Sequence, residues 1–276
     1  MSIARRGLLG SLATLVSGCS PAALLDTTVS KRGYTLRADI PYGEGPRRTL
    51  DLYTPEQPRS DGKAVIFFYG GSWDSGKKSD YLFVAQALAS RGLTVIVPDY
   101  RLYPEVRFPA FLEDGAQATR WAADKVGTDR LFVAGHSAGA EIASMLCAST
   151  PYLSKVGVDR MKLRGLIGLS GPYDFLPLRS AKLIDIFGGA DNPDIQAITF
   201  AKAPLPPALL IHGTADTIVY PRNSEHLAAA WQKAGALVDL KFYPGVDHID
   251  VVAAFSDFLH KRATTREDVL DWIDIH

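Results

Sequence analysis

From residue 64 onward the chain repeats one arrangement, a short continuous apolar run followed by a longer stretch with apolar residues at helical spacing. The runs cover 64–69, 93–97, 130–134, 163–169, 208–211 and 237–243. Short runs without polar alternation are what strands buried on both faces require. The stretches at 80–90, 110–125, 138–149, 223–234 and 251–261 read as helices. Strand and helix in alternation, joined by right-handed crossovers, make a mostly parallel, doubly wound α/β sheet. Upstream, 33–40 and 48–53 alternate around the turn-rich Pro41-Tyr42-Gly43-Glu44-Gly45-Pro46 and read as an antiparallel strand pair. A last helix is expected over 265–275, where Thr264 and Glu267 have capping-box spacing and Val269, Leu270 and Ile273 form an apolar face. Between Gly171 and Pro207 there is room only for short helices, hence a small cap and no long apolar lid.

The N-terminus follows a different rule. Arg5-Arg6 precedes an apolar run from Leu8 to Val16, the layout of a charged and then a hydrophobic signal region. The run is shorter than the ~20 apolar residues a membrane-spanning helix needs. It ends in Leu15-Val16-Ser17-Gly18-Cys19, which resembles a bacterial lipobox and makes Cys19 the expected lipid anchor. Ser20 after it implies, by the lipoprotein rule, an outer-membrane address, and the expected localisation is an exported lipoprotein of the periplasm or outer membrane. A plain secretory signal beside a cysteine is the alternative, and the arginine pair resembles a twin-arginine signal weakly. The expected organisation is a signal segment over 1–19, a polar linker over 20–32 and one α/β domain over 33–276.

Charge and cysteine content narrow the function classes. Thirty Lys plus Arg balance thirty Asp plus Glu, so the basic excess of a nucleic-acid binder is missing. Two cysteines rule out a disulfide scaffold, and with Cys19 lipidated, Cys147 in its apolar stretch reads as a buried thiol. No cluster has metal-ligand spacing and no G-x-G-x-x-G follows a strand, so neither metal nor cofactor is implied.

The chemistry concentrates at Gly135-His136-Ser137-Ala138-Gly139, a G-x-S-x-G pentapeptide between an apolar run and an alanine-rich helix. In a nucleophile elbow the serine sits on a tight strand-to-helix turn, and the residues two before and two after it must be small. Gly135 and Gly139 meet that need, whereas the alternative is Ser137 as a helix cap alone. Attack on a carbonyl also needs donors for the developing oxyanion. The Ala138 N–H is one; Gly70 and Gly71, in Phe68-Tyr69-Gly70-Gly71-Ser72-Trp73 after an early strand, are expected to supply the other, a simple turn there being the alternative.

Six histidines compete for the role of base. His136 is inside the elbow and should point away from the serine. His226 and His260 lie in expected helices, His276 is terminal, and His212 at a strand end reads as structural. His248, in a loop after the last strand, can reach across the sheet edge to Ser137. Asp216 follows the preceding strand by a short loop and fits as the acid that orients His248. Asp174 competes for that role, while Asp247 is badly placed beside His248. The order Ser, Asp, His is the one this kind of sheet uses.

Nearly the whole chain after the signal resembles the α/β-hydrolase superfamily, specifically its bacterial esterase/lipase branch related to hormone-sensitive lipase and feruloyl esterase-like carboxylesterases. The likeness is carried by 41–53, 69–73, Asp99-Tyr100-Arg101-Leu102 with Pro104-Glu105 and Phe108-Pro109, 135–140, 169–174, and 212–216 with His248. It implies Ser137, Asp216 and His248 as triad and the Gly70-Gly71 backbone as oxyanion hole. Two departures stand out: the family's histidine before the glycines is Tyr69 here, and its third glycine is Ser72. Neither removes a backbone donor, and both change the pocket.

Tyr69, Ser72, Trp73, Tyr173, Ile218 and Val219, with Phe175, are the expected pocket residues, core packing being the alternative for the aromatics. Asp99 and Arg101 read as a structural ion pair. The expected activity is hydrolysis of small to medium carboxylic esters through an acyl-enzyme, with a small-molecule ester as partner and the membrane reached through the anchor. An arylformamidase-like amide hydrolase and a non-catalytic ligand-binding surface lipoprotein are the rivals.

Overall fold

The computed structural model describes residues 29–276. The expected signal segment, the expected anchor Cys19 and the expected linker as far as residue 28 lie outside the described residues. An eight-stranded sheet forms the centre, in the order β1-β2-β4-β3-β5-β6-β7-β8. Strands β1 (Tyr34–Pro41) and β2 (Thr49–Pro55) pair antiparallel, and β2 lies antiparallel to β4 (Thr94–Pro98). From β4 onward, β3 (Ala64–Phe68), β5 (Leu131–His136), β6 (Gly165–Leu169), β7 (Ala208–Gly213) and β8 (Val238–Tyr243) run parallel. Every residue of β3, β5, β6 and β7 is buried, which explains why their sequences read as unbroken apolar runs. Strand β8, at the edge, is only half-buried.

The longer helices are α1 (Leu82–Ala89), α2 (Ala110–Val126), α3 (Ala138–Ala148) and, continuing from it, the short α4 (Thr150–Lys155). The cap contributes α5 (Ala181–Phe187), and α6 (Arg222–Lys233), α7 (His248–Ala253) and α8 (Thr265–Ile275) complete the set. Among the described residues no helix is long and apolar enough to cross a membrane.

Three expectations need correction. The helix expected over 251–261 instead begins at His248, capped by the Asp247 carboxylate, which accepts the Ile249 and Asp250 N–H at 2.9 and 2.8 Å. It stops at Ala253 because the Ser256 hydroxyl donates to the Ala253 carbonyl and accepts the Leu259 N–H, a local alternative to the helical ladder. The capping box at Thr264 does not form: the hydroxyl donates to Asp268, and Glu267 accepts from Arg266. Finally, Arg101 pairs with fully buried Asp114 at 2.8 Å rather than with Asp99, which accepts the Lys78 N–H. Cys147 is buried as expected, and burial pushes its thiol up to about 12.

Candidate active site

Ser137 sits between β5 and α3 at φ 54° and ψ −124°. A non-glycine residue there is strained by ~1–3 kcal/mol, so the surroundings must hold the turn closed. They do so by backbone contact. A Cβ on Gly135 would stand 2.2 Å from the Gly139 carbonyl oxygen, and one on Gly139 would stand 2.1 Å from that of Phe68. Both glycines of the pentapeptide are therefore required by space.

Two other strand ends converge on the serine. His248 Nε2 lies 2.9 Å from Ser137 Oγ, and His248 Nδ1 lies 2.7 Å from Asp216 Oδ2. A carboxylate beside Nδ1 keeps the proton on that nitrogen and leaves Nε2 free to accept the serine proton. The other Asp216 oxygen accepts the N–H groups of Ile218 and Val219 at 2.9 Å each. Burial alone would raise the Asp216 pKa, but hydrogen bonds from His212, His248 and the Val219 N–H outweigh it and hold the carboxyl well below the usual range. His248 is the first residue of α7 rather than part of a loop, so its backbone is fixed by the helix.

The competing acids are engaged elsewhere. Asp174 accepts from His226 Nδ1 at 2.6 Å at the surface, and Asp247 caps α7. His212 is fully buried, with Nε2 2.8 Å from the Val219 carbonyl and 3.2 Å from Asp216 Oδ2. Both neighbours are acceptors, so Nε2 carries a proton; the Ser224 hydroxyl meets Nδ1 at 2.7 Å. His136 turns away from the serine into a chain of its own. The Gly70 N–H donates to the Tyr81 hydroxyl at 3.1 Å, Tyr81 donates to His136 Nδ1 at 3.1 Å, and His136 Nε2 donates to the His248 carbonyl at 3.0 Å. Burial, reinforced by His248, pulls the His136 pKa down to about 3, consistent with a neutral ring accepting at Nδ1.

This chain changes the part expected of Gly70. Its N–H is committed to Tyr81, while those of Gly71, Ser72 and Ala138 have no acceptor among the described residues. Gly70 serves by its missing side chain, since a Cβ would stand 3.0 Å from Ser137 Cβ. Ser72 and Trp73 both take positive φ, 50° and 60°, so the loop turns sharply just where the family's third glycine would ease it. The Trp73 indole donates to buried Glu141 at 3.2 Å, and its ring meets Phe187 edge-on at 4.8 Å. Burial, only partly offset by that bond, raises the Glu141 pKa well above the usual range.

Two recesses meet at Ser137. One of about 280 Å³ is lined by His248, Ile249, Val252 and Phe83. The other, of about 550 Å³, is lined by Trp73, Phe175, Leu183, Val219 and Tyr220. Ser72 and Ile218 border both. Tyr69 and Tyr173 line neither. Tyr69 is buried in a stack with Tyr100 at 4.6 Å, and Tyr173 is buried against Gly168 and Gly171. Sequence reasoning missed Tyr81, Glu141 and Ile249. A polar residue inside an apolar helix was the one available signal, for Glu141. Among the described residues no three His, Cys, Asp or Glu are grouped to hold a metal ion.

Comparison with known proteins places this geometry in context. The family model described as BD-FAE matches residues 50–231. A probable isoprenylcysteine alpha-carbonyl methylesterase of Oryza sativa subsp. japonica is 31% identical over 76% of this chain and 57% of its own length. The chain thus spans little more than half the length of that relative. A kynurenine formamidase of Salmo salar is 27% identical over 85% of this chain and 82% of its own. A hormone-sensitive lipase from a metagenome library superposes with a TM-score of 0.73 at 23% identity, covering 92% of this chain and 91% of that one. This last likeness shows the α/β-hydrolase fold.

Proposed function

The chain belongs to the BD-FAE family, and from that premise we propose that it is a serine carboxylesterase working through an acyl-enzyme on small to medium esters. The observation that carries the reading is the hydrogen-bonded run from Ser137 Oγ through His248 to Asp216, at 2.9 and 2.7 Å. In the proposed cycle His248 Nε2 takes the serine proton as Oγ attacks the ester carbonyl. The N–H groups of Ala138 and Gly71, with that of Ser72, receive the oxyanion, each such donor being worth ~2.7–4 kcal/mol. His248 then protonates the departing alkoxide, and water, deprotonated by the same nitrogen, releases the acid.

The test is hydrolysis of 4-nitrophenyl acetate by the full chain and by Ser137→Ala. Turnover that falls by roughly 10⁴-fold supports the reading; turnover at the wild-type level refutes it and favours a ligand-binding lipoprotein. A formamidase relative matching through most of both lengths favours one second reading, cleavage of an N-formyl aryl amide by the same groups. A higher kcat/KM on that amide than on aryl esters would establish it.

We also propose that residues 1–19 are an export signal and that Cys19 carries lipid, on the strength of Leu15-Val16-Ser17-Gly18-Cys19. Full chain made in a Gram-negative host should take up labelled fatty acid and sediment with membranes, and Cys19→Ser should abolish both. Unlabelled, soluble full chain would reject the anchor.

A further inference from the structure

The two recesses beside Ser137 differ in charge. The smaller one contains a carboxyl, Asp80, whose burial raises its pKa, and no arginine. The larger one has Arg179 and Arg222 on its wall. Neither makes an ion pair among the described residues, a condition they share with Arg37, Arg130 and Arg164; what sets them apart is that they line the recess beside Ser137. The one carboxylate lining the recess, Asp174, is taken by His226 at 2.6 Å. Nearby Lys182 of α5 is paired with Asp74. The chain has no net charge, so two unneutralised guanidinium groups here are not the overflow of a basic protein.

Their setting points to the ligand. Arg222 rests over the Tyr220 ring, 5.4 Å from its centroid, which restrains the guanidinium. The same recess is lined by Phe175, Leu176, Leu183 and Trp73. A recess of about 550 Å³ is large enough for an aryl group or a chain of several carbons. His248 lines the smaller recess and must protonate the departing oxygen, so the leaving alcohol belongs on that side. The acyl half then enters the larger one.

We infer that the larger recess binds an acyl group ending in a carboxylate, with the reacting carbonyl at Ser137, the hydrocarbon or aryl spacer on the apolar wall and the distal carboxylate at Arg179 and Arg222. This rests on the esterase reading above. Guanidinium suits the role because its planar fork gives a carboxylate two parallel hydrogen bonds. The substrate class is the half-ester of a dicarboxylic acid with a small alcohol.

The test compares mono-4-nitrophenyl adipate with 4-nitrophenyl hexanoate, and the suberate with the octanoate, using the full chain. At low salt the acid-ended ester of at least one length should have a kcat/KM at least about fivefold above its neutral partner, and about 0.5 M NaCl should shrink that ratio. Arg179→Ala and Arg222→Ala, both at exposed positions, should each lower the ratio, and together bring it to unity or below. Neutral esters turned over as fast as or faster than the acid-ended ones at both lengths would overturn this inference alone. So would a ratio indifferent to both substitutions. No turnover of any of the four esters would overturn it together with the esterase reading.

Discussion

His212 Nε2 lies 3.2 Å from the same Asp216 oxygen that holds His248 Nδ1 at 2.7 Å, so one carboxylate oxygen serves two imidazoles. With two backbone N–H groups on its other oxygen, Asp216 is held at both ends. A carboxylate fixed this firmly cannot rotate away when the neighbouring imidazole gains a proton. In the proposed esterase His212 would thus position Asp216, at the end of β7 where the sequence offered only a buried strand end.

His212→Gln should therefore lower kcat roughly tenfold, the scale of one charge-assisted hydrogen bond, with KM little changed. Ser224→Ala, which removes the partner of His212 Nδ1, should reproduce the effect in weaker form. The check is steady-state kinetics beside thermal unfolding. A lowered Tm with kcat intact would reduce His212 to a packing role.

Asp174 and Asp216 both follow strands, and only one contacts His248. Asp216→Asn should cut kcat by roughly 10⁴-fold, since an amide at this position favours the wrong imidazole tautomer. Asp174→Asn should change kcat less than fivefold or so, because that carboxylate meets His226 at the surface. Reversed effects would reassign the acid.

Glu141 gives a prediction about stability and pH. Burial raises its folded pKa above the ordinary 4.5, so the native state keeps a proton that the unfolded chain loses above that pH. The native state then binds more protons than the unfolded one, and this group's contribution to stability falls as pH rises from about 4.5 toward its folded pKa. Glu141→Gln keeps an oxygen for the Trp73 indole and removes the titration. The Tm of Glu141→Gln minus that of wild type should increase between pH 4 and about pH 8. His136, whose depressed pKa acts in the opposite sense at acid pH, is present in both proteins and cancels from the difference. A difference that stays flat across the range would contradict a protonated Glu141.

Much of this was legible in the sequence because its cause is local. Unbroken apolar runs marked β3, β5, β6 and β7, whose residues are buried on both faces, and two glycines around Ser137 announced a turn with no room for a Cβ. His248 and Asp216 could be chosen because they follow strands whose ends share one edge of the sheet. What escaped depends on contacts between distant segments. Asp99 and Arg101 stand two residues apart, yet Asp114 of α2 takes the arginine. Tyr81 and His136 are unremarkable in sequence and become linked to Gly70 and His248 only once the chain is folded. Tyr69 and Tyr173 follow strands as pocket residues do, and packing turned both rings into the core. Ser256 ended a helix that apolar spacing alone would have continued.

In the proposed cycle Ser137 becomes covalently acylated during turnover. The most direct test is intact-protein and peptide mass spectrometry after treatment with a 4-nitrophenyl alkylphosphonate, which transfers its phosphonyl group to an activated serine and releases nitrophenol. One phosphonyl adduct per chain, located on Ser137 and absent in Ser137→Ala, with formation slowed sharply in Asp216→Asn, is the predicted result. Full esterase activity surviving in protein whose Ser137 is completely labelled, or an adduct on another residue that tracks the loss of activity, would rule out Ser137 as the nucleophile.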